Sequence, residues 1–242
     1  MVGIRRALAL LVLGFFATQF TIAGWLGPDE LFACYVGLGL VYLTAFFGVA
    51  AQWFWARWFA IGLGQFGALP LLFIFKLGPE PLLLLFGGAH LLVTLMLAGE
   101  GMSTQYERSE HTQTRWNFQE ESLLLMRRAV KSAGTTLPFL ILYTLAPGAE
   151  WTQVGVLAVG GLGLAGLLRG RTWGVLALGA AGFAALLDGL SVFGDPTVGY
   201  LVLEHAPGSQ VMAFGQVGVL AGGLLVVPAI FAAHFVRFLR RP

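Results

Sequence analysis

The sequence predicts an all-α polytopic membrane bundle of about eight transmembrane helices in two groups of four. Three observations carry that expectation. The chain is 57% hydrophobic and 11% charged, whereas a soluble domain averages about 25% charged residues. Several apolar runs approach or exceed the ~20 residues that cross ~30 Å of hydrocarbon. All but one of the 14 Lys and Arg residues fall on one side of the resulting ladder. Arg5 and Arg6 precede the first run, Arg57 follows the second, and Arg108 to Lys131 follow the fourth. Arg169 and Arg171 follow the sixth run, and Arg237, Arg240 and Arg241 close the chain. The alternate turns carry Asp29, Glu30, Glu80, Glu150, Asp195 and Glu204, with Lys76 the basic exception. Lys/Arg-rich loops stay cytoplasmic, so both termini are expected inside.

The spans expected in order are Ala7–Leu26, Leu31–Phe54, Trp58–Phe75, Leu82–Gly99, Leu123–Ala146, Trp151–Leu168, Thr172–Phe193 and Val211–Phe235. At 1.5 Å per residue each is about 27–37 Å long. The first could be mistaken for a signal peptide, but Thr21-Ile22-Ala23 matches a small-x-small cleavage site poorly, so a retained helix is expected. Pro28, Gly78-Pro79, Pro147-Gly148 and Asp195-Pro196 punctuate the outer turns. Continuous apolar runs rather than alternation exclude a membrane barrel. Tryptophan gives a second ladder, because an indole prefers the headgroup layer. Trp25 and Trp151 fall at outer ends; Trp53, Trp55, Trp58 and Trp173 fall at inner ends; Trp116 lies in the long inner loop.

The chain divides into a first half at 1–99, a polar cytoplasmic loop at 100–122 and a second half at 123–242. The stretch from Trp116 to Lys131 reads as a helix partly at the inner interface, or as a solvated linker with a basic helix end. Sliding the chain by 115 positions matches Gly48 with Gly163, Ala50 with Ala165, Trp58 with Trp173, Gly64 with Gly179, Gly67 with Gly182, Leu71-Leu72 with Leu186-Leu187, and Pro81 with Pro196. Duplication and coincidence both account for this in so Gly- and Leu-rich a chain. Halves of equal orientation would be related by an axis along the membrane normal.

The string GxGxxG occurs at Gly62–Gly67 and at Gly161–Gly166. A dinucleotide site needs it between a strand and a helix start, and here both copies lie inside expected spans. Packing is the useful reading: Gly64, Gly67, Gly160, Gly163, Gly179 and Gly182 are expected to let helices approach closely.

Asp188 is the carboxylate well inside a span, where burying a charge costs roughly 2.5–3.5 kcal/mol on the mildest scale. It lies about five residues, ~7–8 Å, from the outer end. Gln216 is expected at similar depth, Gln19 and His90 about eight residues from outer ends, and Thr94 deeper. Asp188, His90, Gln216 and Gln19 therefore form a candidate proton or ion site in an outward-opening cavity; the competing reading is a structural knot. His234 and Arg237 are expected to snorkel at the inner interface. Glu107, Glu110 and His111 fall short of a metal constellation, as does Glu204-His205. The stretch 194–210 has an apolar, β-prone core at 198–203, suited to cap the bundle, dip into the interface or present a docking strand.

Cys34 is the one cysteine, read as a small buried hydrophobe, and it allows no intrachain disulfide. No Ser-His-Asp arrangement, P-loop or HExxH string occurs, and neither a cofactor nor a catalytic residue is assigned. The formal charge of +2 does not suggest nucleic acid. The expected function is a non-enzymatic structural or accessory subunit packing against partner membrane proteins or itself, in a lipid bilayer such as a bacterial inner membrane. The alternative is a small proton- or cation-coupled transporter or channel using Asp188.

Overall fold

The computed structural model describes residues 2–108, 110, 112, 120–145, 151–171, 173–190, 192, 200–202 and 210–230. They are helical almost throughout. The first group consists of α1 (Val2–Leu26), α2 (Phe32–Ala50), α3 (Ala56–Ala68), the single turn α4 (Ile74–Leu77) and α5 (Pro81–Leu97). A short helix α6 (Glu100–Glu107) leads toward α7 (Glu120–Thr144), α8 (Trp151–Leu168), α9 (Trp173–Gly189) and α10 (Phe214–Ile230). The β-prone stretch does pair: β1 (Tyr200–Val202) runs antiparallel to β2 (Gln210–Ala213), with Tyr200 opposite Ala213 and an irregularity after Leu201. The last expected span therefore begins as a strand, and its helix starts at Phe214 rather than Val211.

Each group closes into a ring of four. α1 packs on α2 and α5, and α3 packs on the same two helices. Likewise α7 and α9 each pack on α8 and α10. The groups meet chiefly where α3 crosses α7, with α2 alongside. Gly62 and Gly134 make that crossing possible. A Cβ on Gly62 would lie 2.9 Å from the Thr135 amide nitrogen and 3.1 Å from the Gly134 carbonyl carbon. Small residues on both partners let the backbones touch, which is how apolar helices gain dispersion contact without a hydrophobic driving force.

The eight expected spans are supported only in part. By length and composition, among the described residues, two helical runs could cross a membrane, Val2–Leu26 and Asp29–Ala50, or three if Pro81–Leu97 and Glu100–Glu107, bent by 71°, count as one. Among the described residues, Trp173–Gly189 is a shorter apolar helix. Two local causes stand out elsewhere. Pro70 lacks an amide hydrogen, and the chain passes through a 3₁₀ segment, Leu69–Phe73, that interrupts the third expected span. The first turns of α7 carry Glu120, Glu121, Arg127, Arg128 and Lys131, which dilute its apolar length.

The two groups correspond in structure at an offset of 118 rather than 115. An offset of 118 carries the end of α1, Leu26, onto the end of α7, Thr144. The same offset relates the turns after α2 and α8. Trp53 N–H bonds Gly48 O at 3.1 Å and Gln52 N–H bonds Val49 O at 3.3 Å; Arg171 N–H bonds Gly166 O at 2.8 Å and Gly170 N–H bonds Leu167 O at 2.9 Å. Both are Schellman caps, which need a left-handed residue, supplied by Gln52 (φ 56°) and Gly170 (φ 71°). Gly48 faces the Trp55 ring just as Gly166 faces Trp173. Gly64 and Gly182 each meet the fourth helix of their group, beside His90 O (2.8 Å) and Thr94 N (3.2 Å) in one, and Gly222 O (2.9 Å) and Val226 N (3.1 Å) in the other. The expected pairing of Trp58 with Trp173 at 115 is thus replaced by Trp55 with Trp173.

Candidate functional site

Two polar constellations stand out, one at the basic end of the first group and one at the far end of the second. A buried histidine, His90, has its own set of partners.

At the basic end, α5 stops at Leu97 and Gly99 (φ 94°) turns the chain into α6. The last carbonyls of a helix have no partner within it. Here two arginines supply one. Arg5 donates to Leu95 O at 2.9 Å and Ala98 O at 2.5 Å, and Arg57 Nε donates to Leu97 O at 2.8 Å. Guanidinium groups also suit the negative end of the helix dipole. Arg57 further makes an ion pair with Glu107 of α6, and Trp58 Nε1 donates to the same Glu107 oxygen at 2.7 Å. Arg57 is 4% exposed. Burial lowers its pKa from the ordinary guanidinium range and Glu107 opposes that shift. Beside it, the Tyr106 hydroxyl donates to Val49 O at 3.0 Å, and Thr112 donates back to Tyr106 O. Burial pushes the Tyr106 phenol up to about 12, while Arg6 and Arg57 draw it down.

This corrects two expectations. Arg57 is no solvated topology anchor; it is a buried strut tying α3, α5 and α6 together. Trp55 and Trp58 are core residues, at 3% and 1% exposure, whereas Trp25 and Trp151 stand out at 81% and 88%. Glu107, weighed as a weak metal ligand, has its carboxylate engaged by Arg57 and Trp58; Glu110 is exposed, and His111 lies outside the described residues.

His90 sits on α5, 1% exposed. Its Nδ1 is 2.7 Å from Phe86 O, which can only accept, so Nδ1 carries the proton. Nε2 then accepts from the Tyr42 hydroxyl at 2.5 Å. Phe16 and Phe86 pack their rings 4.2 and 4.3 Å from the imidazole, and Gly67 leaves room for it on α3. Both nitrogens are used, and the partners come from α1, α2, α3 and α5.

Asp188 belongs to the other group. Gln153 of α8 donates to its Oδ2 at 3.4 Å. The pair lies at a groove of about 390 Å³ between α8 and α9, lined also by Gly155, Val156, Val159, Ala180, Ala181 and Ala184. Gln19 is exposed on α1. Thr94 donates to His90 O at 3.4 Å. Among the described residues, Asp188 and His90 therefore have separate partners, and the expected convergence is not seen. Gln153 was missed; its place two residues into α8 gave no sign of facing a residue 35 positions away. The side chain of Gln216 lies outside the described residues, as do Glu204, His205, His234, Arg237 and Trp116.

The six glycines singled out for packing lie at helix contacts. Gly64 and Gly67 face α5, Gly160 faces Leu140 of α7, Gly163 faces Gly174 and Leu178 of α9, and Gly179 and Gly182 face α10. Cys34 is buried, its thiol 3.0 Å from Leu145 O.

The arrangement defines a class: a helical protein with membrane-compatible segments and polar groups bonded mainly helix to helix. Comparison with known proteins finds no matching family model, no similar curated protein and no similar solved structure.

Proposed function

We propose that the chain is a multi-pass membrane protein of eight crossing segments, both termini on the basic, cytoplasmic side, acting as a non-enzymatic structural or accessory subunit. A bacterial inner membrane suits the pattern. The observation that carries this reading is how polar and apolar groups are disposed. His90, Tyr42 and Cys34 bond across helices, and Thr21, Thr44, Thr135 and Thr144 bond the carbonyl four residues back in their own helix. Where no water competes, each polar group must be satisfied internally. Meanwhile Leu11, Phe15, Phe47, Leu85, Leu162 and Phe183 point outward, each more than half exposed. Such a surface suits lipid and other membrane helices. Pro81–Leu97, 17 residues and about 25 Å long, crosses by local thinning of the bilayer.

A small proton- or cation-coupled transporter is the second reading, favoured by one observation: a carboxylate and an amide at the wall of an open groove. Purification in mild detergent separates the two. The accessory reading expects a stoichiometric membrane partner, retained when Asp188→Asn is made, and no flux in liposomes. Proton or solute flux abolished by Asp188→Asn would favour the transporter instead.

A further inference from the structure

The offset of 118 makes one surface of each group comparable, and the two surfaces differ in what covers them. In the first group the surface between α2 and α3 is occupied by α7. Gly62 meets Gly134 and Thr135, a Cβ on Gly37 would lie 3.0 Å from Ile141 Cγ2, and Phe66 packs edge-on against Phe139 at 4.8 Å. The counterparts of Gly37, Gly62 and Phe66 are Gly155, Ala180 and Ala184. These three line the open groove between α8 and α9. Gly62 is buried under α7, whereas Gly155 and Ala180 are exposed. Among the described residues, the second group thus repeats a helix-binding surface without its helix.

The groove differs from its counterpart at its outer end. Pro70 stands where the second group has Asp188, and Tyr35 where it has Gln153. Gln153 already gives Asp188 one neutral donor at 3.4 Å, so what a lipid-exposed groove leaves uncompensated is the charge, which an occupant meets with a cation. Another copy of this chain is poorly suited to do so, since apart from Lys76 its Lys and Arg residues belong to the opposite end.

We propose that the α8–α9 groove seats a transmembrane helix of a different membrane protein. That helix presents a small residue where it crosses Ala180, as Gly134 does against Gly62, and a basic side chain level with Asp188. This rests on the accessory-subunit reading and names the face and the chemistry of the partner.

Photocrosslinking in intact cells tests it, with benzoylphenylalanine replacing Phe183 beside the groove or Phe15 on the outward face of α1. The expected result is an adduct from position 183, absent from position 15, whose attachment point maps to an apolar segment of a second protein. Ala180→Leu, which fills the groove, and Asp188→Leu should each lower its yield several-fold. An adduct confined to a second copy of this chain, an adduct with lipid alone, or a yield indifferent to Ala180→Leu would overturn the proposal. A co-purifying partner that crosslinks only at position 15 would defeat the groove and leave the accessory reading standing. If nothing co-purifies and neither position crosslinks, both fall.

Discussion

Arg57 and Glu107 lie 50 positions apart in sequence and share one buried ion pair. Their energetics are asymmetric: removing one partner strands a buried charge and costs roughly 3–5 kcal/mol, while replacing both with apolar residues is often neutral. Arg57→Met is therefore expected to destabilise the protein strongly in a thermal melt in detergent. Adding Glu107→Leu should restore much of the loss. Arg171→Met, which removes an exposed charge from the same side, should be nearly silent.

Tyr106 gives a pH signature at the same place. Its phenol is raised from 10.0 to about 12 by burial. Below pH 10 both folded and unfolded chains hold the proton, and the contribution is complete. Between about 10 and 12 the unfolded chain loses its proton first, so stability falls as pH rises through that window. Tyr106→Phe should flatten this part of the curve, measured as the difference in melting temperature between pH 9 and pH 11. An unchanged slope would argue that the phenol is not held by Val49. Neither partner of the ion pair was legible in the sequence, because long-range pairing leaves no local spacing to read. The indoles misled for another reason: an aromatic near a basic turn fits the headgroup layer and the core equally well, and Trp55 and Trp58 took the core.

At the scale of elements, glycine decides where helices touch. Gly62→Ala or Gly134→Ala would push a methyl into the facing backbone, an overpacking that typically costs 1–3 kcal/mol. Gly88 and Gly161 also sit in helices, but nothing lies within 4 Å of a Cβ there. Alanine at those positions should stabilise slightly, by up to about 1 kcal/mol, through helix propensity. Opposite signs from the same substitution, read by thermal melts, would locate the α3–α7 crossing without a structure. The packing role of glycine was readable from spacing within apolar runs. Which glycines bridge the two groups was not: Gly62 and Gly134 were overlooked, since neither shares a local pattern with the other. The repeat was likewise half legible. Frequent Gly and Leu supplied matches at 115, while the caps at Gln52 and Gly170 set the offset at 118, and Gln52 hides the match because glycine is the residue usually found there.

For the whole molecule, the apolar runs and the one-sided placement of Lys and Arg were plain from composition. The helix breaks at Pro70 and Gly99 were not, because mean hydropathy averages over them. The account's central claim is that the basic ends face one side of a membrane and the acidic turns the other. Single-cysteine labelling in a Cys34→Ala background tests this most directly, using a membrane-impermeant maleimide on intact cells. Glu30→Cys and Glu80→Cys should label from outside, and Arg108→Cys and Arg171→Cys only after permeabilisation. Labelling of Arg171→Cys in intact cells, or protection of Glu30→Cys, would contradict the topology.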